Sequence, residues 1–240
     1  MAGGASTGTL RALFGRKKPP PDQIRETLFG DMPLEGWPAD GPDSFPWSAF
    51  AAGRCQLAEG RPTDAIASWR EVLARPALES RHYLQAWNFL RQNGQRRPPE
   101  TAKQVLGVVV EIGMPKGLDI LAAYADHSAR YYNFSGAGAV WERPDKSLDP
   151  LIDQLLAAGT EVATRIGPWE QARPPAPEAG EVRLSFLTPS GLHFGQGPMD
   201  RVQCDPLAGR VFQAAVPLLQ ALTAYSMSWR KRKGRRPEPN

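Results

Sequence analysis

Two cysteines, Cys55 and Cys204, and three histidines are all that the 240 residues offer for thiol or imidazole chemistry. That count rules out a disulfide framework and any paired CxxC metal site, and it suits a reducing compartment, the cytoplasm. His82, His127 and His193 stand at none of the HxH, HxxxH or HExxH spacings, so a metal would have to find distant carboxylates. No metal and no cofactor is expected. No apolar run reaches the roughly 18–20 residues needed to cross a bilayer. The first twenty residues, broken by Arg11 and followed by a basic cluster, lack the apolar stretch of a signal peptide. The phosphate-loop pattern GxxxxGK[ST] and the dinucleotide fingerprint are missing too. Pro198 and about seven further residues separate Gly191, Gly195 and Gly197 from the next expected helix, so they read as turn glycines.

The charge is uneven. The net +4 is made of +4 in residues 1–20 and +5 in residues 230–240, which leaves the body at −5. The high isoelectric point therefore belongs to the ends, and a basic nucleic-acid surface across the body is not indicated. The tail residues Arg230, Lys231, Arg232, Lys233, Arg235 and Arg236 are the candidates for nucleic acid or an anionic membrane; a solubilising end is the plainer account of them.

What the chain does contain is a change of period. Residues 1–45 read as a basic arm, with Leu10, Leu13 and Phe14 on one face, and a Pro/Gly-rich extended lead-in anchored by Trp37 and Trp47. Residues 46–97 are helical. From Leu106 the apolar period becomes two: Leu106, Val108, Val110 and Ile112 on one strand face, then Leu118, Ile120, Ala122 and Tyr124 on the next. "SARYYNFS" and "AGAVWE" complete a four-strand meander. "LDPLIDQLLAAGTEVATRIG" is an amphipathic helix with Asp149 as N-cap. "VRLSFLTPSGLHFGQG" is a second hairpin with Leu184, Phe186, Leu192 and Phe194 facing the core. Asp205 and Pro206 open a last helix, with Pro217 inside it and disorder expected from residue 230. The fold class is α+β: a helical hairpin packed on an antiparallel sheet that two long helices cover, with the sheet domain spanning 98–229.

The stretch "AFAAGRCQLAEGRPTDAIASWREVLARP" places Gly53, Gly60, Ala65, Ile66, Trp69, Leu73 and Pro76 at small, turn, aromatic and stop positions, and Gly94 follows Gly60 by 34 residues. In this it resembles a tetratricopeptide-type helical hairpin over about residues 47–94, one and a half repeats. That resemblance implies a surface for peptide segments.

Asp126, His127 and Ser128 stand side by side, yet consecutive residues in a strand point to opposite faces and cannot converge as nucleophile, base and orienter. Asp followed by two polar residues between alternating flanks is turn chemistry, so the stretch reads as a hairpin tip with His127 facing solvent. Glu111, Asp119 and Glu142 on neighbouring strands are the alternative site, an acid cluster for metal-dependent hydrolysis. The reading favoured is a non-enzymatic interaction or accessory module whose partner is another protein or peptide. Its contact residues would be Tyr83 and Trp87 on a helix and Arg130 and Tyr132 on a strand.

Overall fold

The computed structural model describes the backbone of residues 21–37 and 43–233 and the side chains of 24–37 and 43–227. The arm residues Leu10, Leu13 and Phe14 and the tail residues Arg235 and Arg236 lie outside these, as do the side chains of Arg230, Lys231, Arg232 and Lys233.

Six strands form one antiparallel sheet in the order β4-β3-β2-β1-β5-β6. They are β1 (Gly107–Met114), β2 (Gly117–Tyr124), β3 (Ala129–Tyr132), β4 (Gly138–Trp141), β5 (Glu181–Thr188) and β6 (Gly191–Pro198). Because β1 pairs with both β2 and β5, the meander and the second hairpin are one sheet. Helices cover both of its faces. Helices α1 (Pro21–Phe29), α2 (Trp47–Ala58), α3 (Pro62–Ala74), α4 (Ser80–Gln92) and the short α5 (Pro99–Ala102) precede the sheet. Helix α6 (Asp149–Ala163) follows β4, and α7 (Met199–Cys204) and α8 (Ala208–Lys233) follow β6.

The first face is apolar. Val108, Val110, Leu121, Ala123, Ala129, Trp141, Leu184 and Phe186 pack against Ile152 and Leu155 of α6 and Val211, Leu218 and Leu222 of α8. Gly159 lets α6 approach closely, since a Cβ there would sit 2.7 Å from Val108 Cγ2. The opposite face takes Val109, Ile120, Ala122, Tyr124 and Leu187, closed by Leu28 and Phe29 of α1 and Leu84 of α4. Outboard of α4 lies a separate aromatic cluster of Trp37, Phe50, Trp69 and Phe89, drawn entirely from residues 32–90. Within it α2 and α3 meet so tightly that a Cβ on Gly53 would overlap the Trp69 indole. Trp37 and Trp47 stack at 5.5 Å, as anchors of the lead-in should.

Four local expectations change. Residues 21–29 are helical, not extended: Pro21 sits where a first-turn proline is tolerated, and Arg25, Leu28 and Phe29 share the buried side. Leu106 precedes β1 and packs with Val109 on the α1/α4 side, so the face of Val108, Val110 and Ile112 does not include it. Asp149 is the first helical residue of α6 and spends its carboxylate on Arg143, 2.7 Å and 3.1 Å away, instead of capping. Helix α8 runs on to Lys233, into the basic run that was expected to be disordered from residue 230. Asp205 does cap its entry, accepting from the Leu207 and Ala208 amides at 2.9 and 2.8 Å.

Candidate functional site

The stretch Asp126–Ser128 is the β2–β3 turn, with His127 at φ +62°. Asp126 does not address His127. Its carboxylate accepts from the Ser80 amide (2.7 Å) and the Ser128 amide (2.9 Å), and Ser80 Oγ accepts in return from the Asp126 amide (3.1 Å). The tip is thus clamped onto the start of α4, satisfying a helix amide that would otherwise be orphaned. His127 does not simply face solvent: its Nε2 lies 3.0 Å from Asp153 Oδ1 on α6.

Behind the clamp lies a buried ionic cluster. Glu79 bonds Arg81 and sits 3.6 Å from Arg130 Nη2, which is also 3.9 Å from Glu142. Burial alone would raise the Glu79 carboxyl, but Arg81, His82 and Arg130 outweigh it and hold it down at about 2. Burial lowers His82 to about 4, against the opposing pull of Glu79. Arg130 Nη1 donates to the Ala129 and Trp141 carbonyls, while its Nε and Nη2 have no hydrogen-bond acceptor among the described residues.

The four proposed contact residues do not form one patch. Arg130 is 1 % exposed and belongs to the cluster just described, so it is not a surface contact. Tyr132, half-buried, flanks the α1/α4 face together with Tyr83. The Tyr83 hydroxyl donates to the Arg75 carbonyl (2.7 Å) and accepts from the Leu78 amide (3.2 Å), tying the end of α3 to α4. Trp87, one helical turn on, is half-buried against the outer aromatic cluster, with Arg97 over its ring at 5.6 Å.

The strand carboxylates do not converge. Register pairs Glu111 with Ile120 and Ile112 with Asp119, so Glu111 and Asp119 point to opposite faces. Glu111 is fully buried between Arg25 (2.7 Å) and Arg183 (3.5 Å), which both also donate to the Pro174 carbonyl. Asp119 accepts from the Tyr131 hydroxyl (2.9 Å) and the Phe134 amide (2.8 Å). Burial, and then Asp119, push the Tyr131 phenol up to about 12. Glu142 faces Arg130. Among the described residues no three His, Cys, Asp or Glu side chains gather as a metal site would require. None of the helices is long and apolar enough to cross a membrane, again among the described residues.

In the sequence His193 is an ordinary residue of the second hairpin. The structure joins it to Thr188 and Ser190 through the β5–β6 turn. The one trace of this in the sequence is a Ser and a His three positions apart around a turn.

No family model, curated protein or solved structure matches the chain.

Proposed function

We propose that the protein is a non-enzymatic interaction or accessory module of the cytoplasm that holds a peptide segment of another protein against its outer helical layer. The observation that carries this reading is the layer itself. The α1/α4 face of the sheet is closed by Leu28, Phe29 and Leu84, yet the chain adds α2 and α3 as a fourth layer, joined to the outer side of α4 through a separate aromatic core. A layer beyond what the sheet requires adds rigid surface. Beside it Trp87 of α4, one turn from Tyr83, stays half-buried against the outer cluster, and amphipathic aromatic side chains of this kind bury large contact area at low entropic cost. The resemblance of α2–α3 to a tetratricopeptide hairpin supports the same use.

The test uses the full chain and its Trp87→Ala variant as paired baits in extracts of the source cell. A partner retained by the wild type and lost at least tenfold from a variant of unchanged melting temperature supports the assignment. Equal recovery by both baits refutes it.

A further inference from the structure

The β5–β6 hairpin ends in a constellation that peptide binding does not use. The strands are joined through Pro189 and Ser190, with Thr188 opposite Gly191. Ser190 Oγ lies 3.1 Å from His193 Nε2 and 2.8 Å from Thr188 Oγ1. On the other side of the ring, His193 Nδ1 lies 3.2 Å from the carbonyl oxygen of Ile166, just beyond α6.

The proton positions follow from which atoms can only accept. The Ile166 carbonyl is an acceptor, so Nδ1 carries the ring proton and Nε2 holds the lone pair. Ser190 then donates its hydroxyl proton to Nε2. Thr188 donates to the Gly191 carbonyl, 3.0 Å away, and leaves its oxygen beside Ser190. The Ile166 carbonyl is itself fixed by Lys103, whose Nζ donates to it at 2.8 Å and to the Thr164 carbonyl at 3.1 Å. Burial lowers the His193 imidazole, partly offset by its bond to Ile166, and so favours the neutral ring.

Thr188 and His193 are 1 % and 0 % exposed, whereas Ser190 is partly open to solvent. The basic nitrogen of a buried ring is therefore aimed at the one residue of the three that solvent reaches. Gly191, next to it, leaves room: a Cβ built there would meet only Arg91 Nε at 3.8 Å and Pro168 Cβ at 3.9 Å. Arg91 is held at this rim by its 2.9 Å bond to the Pro189 carbonyl.

We propose that Ser190 is a nucleophile with His193 as its general base, and that, in a single self-acylation without turnover that stands apart from peptide binding, it takes an acyl group from a small, activated, anionic donor. In the step, Ser190 Oγ bonds to the acyl carbon and its proton passes to Nε2. The bond from that carbon to the leaving oxygen breaks, and the leaving group accepts the proton from Nε2, which restores the neutral ring. The orienter is a carbonyl, not a carboxylate, and Lys103 stands beside it, so the imidazolium is poorly stabilised. That restricts the site to donors with good leaving groups, such as acyl phosphates, and excludes amides. Arg91 supplies the preference for an anion.

The test treats the full chain with an alkyl fluorophosphonate and, separately, with acetyl phosphate, and reads adducts by peptide mass spectrometry. One adduct is expected at Ser190 with each reagent, absent from Ser190→Ala. His193→Gln should slow both reactions at least about 100-fold, the scale of general-base assistance. Arg91→Gln should slow acetyl phosphate alone. If His193→Gln fails to fold, the nitrogen-15 shifts of His193 in the wild type decide: the neutral Nδ1–H form is required. An Nε2–H ring, or labelling of Ser190 no faster than that of the exposed Ser147, overturns the proposal. Equal slowing of both reagents by Arg91→Gln overturns the anionic preference.

Discussion

The two faces of the sheet are built on different principles. The face under α6 and α8 is closed by aliphatic and aromatic side chains: Val108, Leu121, Leu184, Phe186, Ile152 and Leu218. The face under α1 and α4 adds to its apolar cluster four buried arginines, Arg25, Arg81, Arg130 and Arg183, with Glu111. Apolar burial is non-directional and contributes roughly 25 cal/mol per Å² removed from water. A buried ion pair returns little net energy, because desolvation consumes most of the attraction, but it is costly to break. The first face therefore rests on apolar burial alone, while the second joins apolar burial to an ionic layer. The second fixes which helix sits where: Arg25 on α1 reaches Glu111 at 2.7 Å, and this pairing specifies how α1 lies on the sheet.

The largest effects should separate these roles. Trp141→Ala empties a site that is 2 % exposed and removes the ring packed edge-on against Tyr225 at 5.0 Å, so it should cost about 3–5 kcal/mol in urea titration. Glu111→Ala should cost about as much for a different reason, since it leaves Arg25 and Arg183 buried without their carboxylate. The two diverge when the partners go as well. The triple change Arg25→Met, Glu111→Leu, Arg183→Met should restore stability to within about 1 kcal/mol of wild type, whereas no removal of neighbours rescues an empty tryptophan site. A triple variant as unstable as Glu111→Ala would show that the ionic layer is itself a stability element.

The same contrast explains what the sequence could reveal. Elements that rest on apolar period were legible: the meander, the second hairpin and α6. Elements that rest on long-range polar pairing were not. Helix α1 looks like a Pro/Gly lead-in because the partner of its buried Arg25, Glu111, lies 86 residues away. Arg130 looks like a surface residue because Glu79 and Glu142 come to it from different elements. Whether Glu111 and Asp119 share a face depends on the length of the β1–β2 turn, and a shift of one residue in register decides it.

A smaller effect tests the polar face through pH. Burial holds His82 neutral at about 4, below the ordinary 6.5, with Trp47 edge-on at 5.2 Å and Glu79, Arg81, Asp126 and Arg130 around it. A depressed histidine means that the unfolded chain binds the extra proton first as pH falls. The stabilisation is complete above about 6.5 and drains away towards pH 4, by up to about 3 kcal/mol. Glu79, held at about 2, stays charged in the folded chain throughout that window, but the unfolded chain begins to bind its proton near 4.5, so its own stabilisation starts to be lost only at the acid end and in both curves alike. Stability curves of wild type and His82→Phe between pH 7 and 4 should therefore diverge, with the variant flatter. Parallel curves would place the acid sensitivity elsewhere.

The smallest effects belong to the hairpin tip, where three adjacent residues should behave differently. Asp126→Ala removes the acceptor for the Ser80 and Ser128 amides and should cost about 1–2 kcal/mol, as loss of a helix cap does. His127→Gly gives up the Asp153 contact but relieves a positive φ, two changes of opposite sign that should leave stability within about 0.5 kcal/mol. Ser128→Ala removes a buried hydroxyl with no partner among the described residues and should be neutral or slightly stabilising. Urea titration of the three variants reads the order directly. If His127→Gly costs more than Asp126→Ala, the tip is held by α6 through Asp153 and not by the start of α4, and the clamp that joins the helical layer to the sheet has been assigned to the wrong residue.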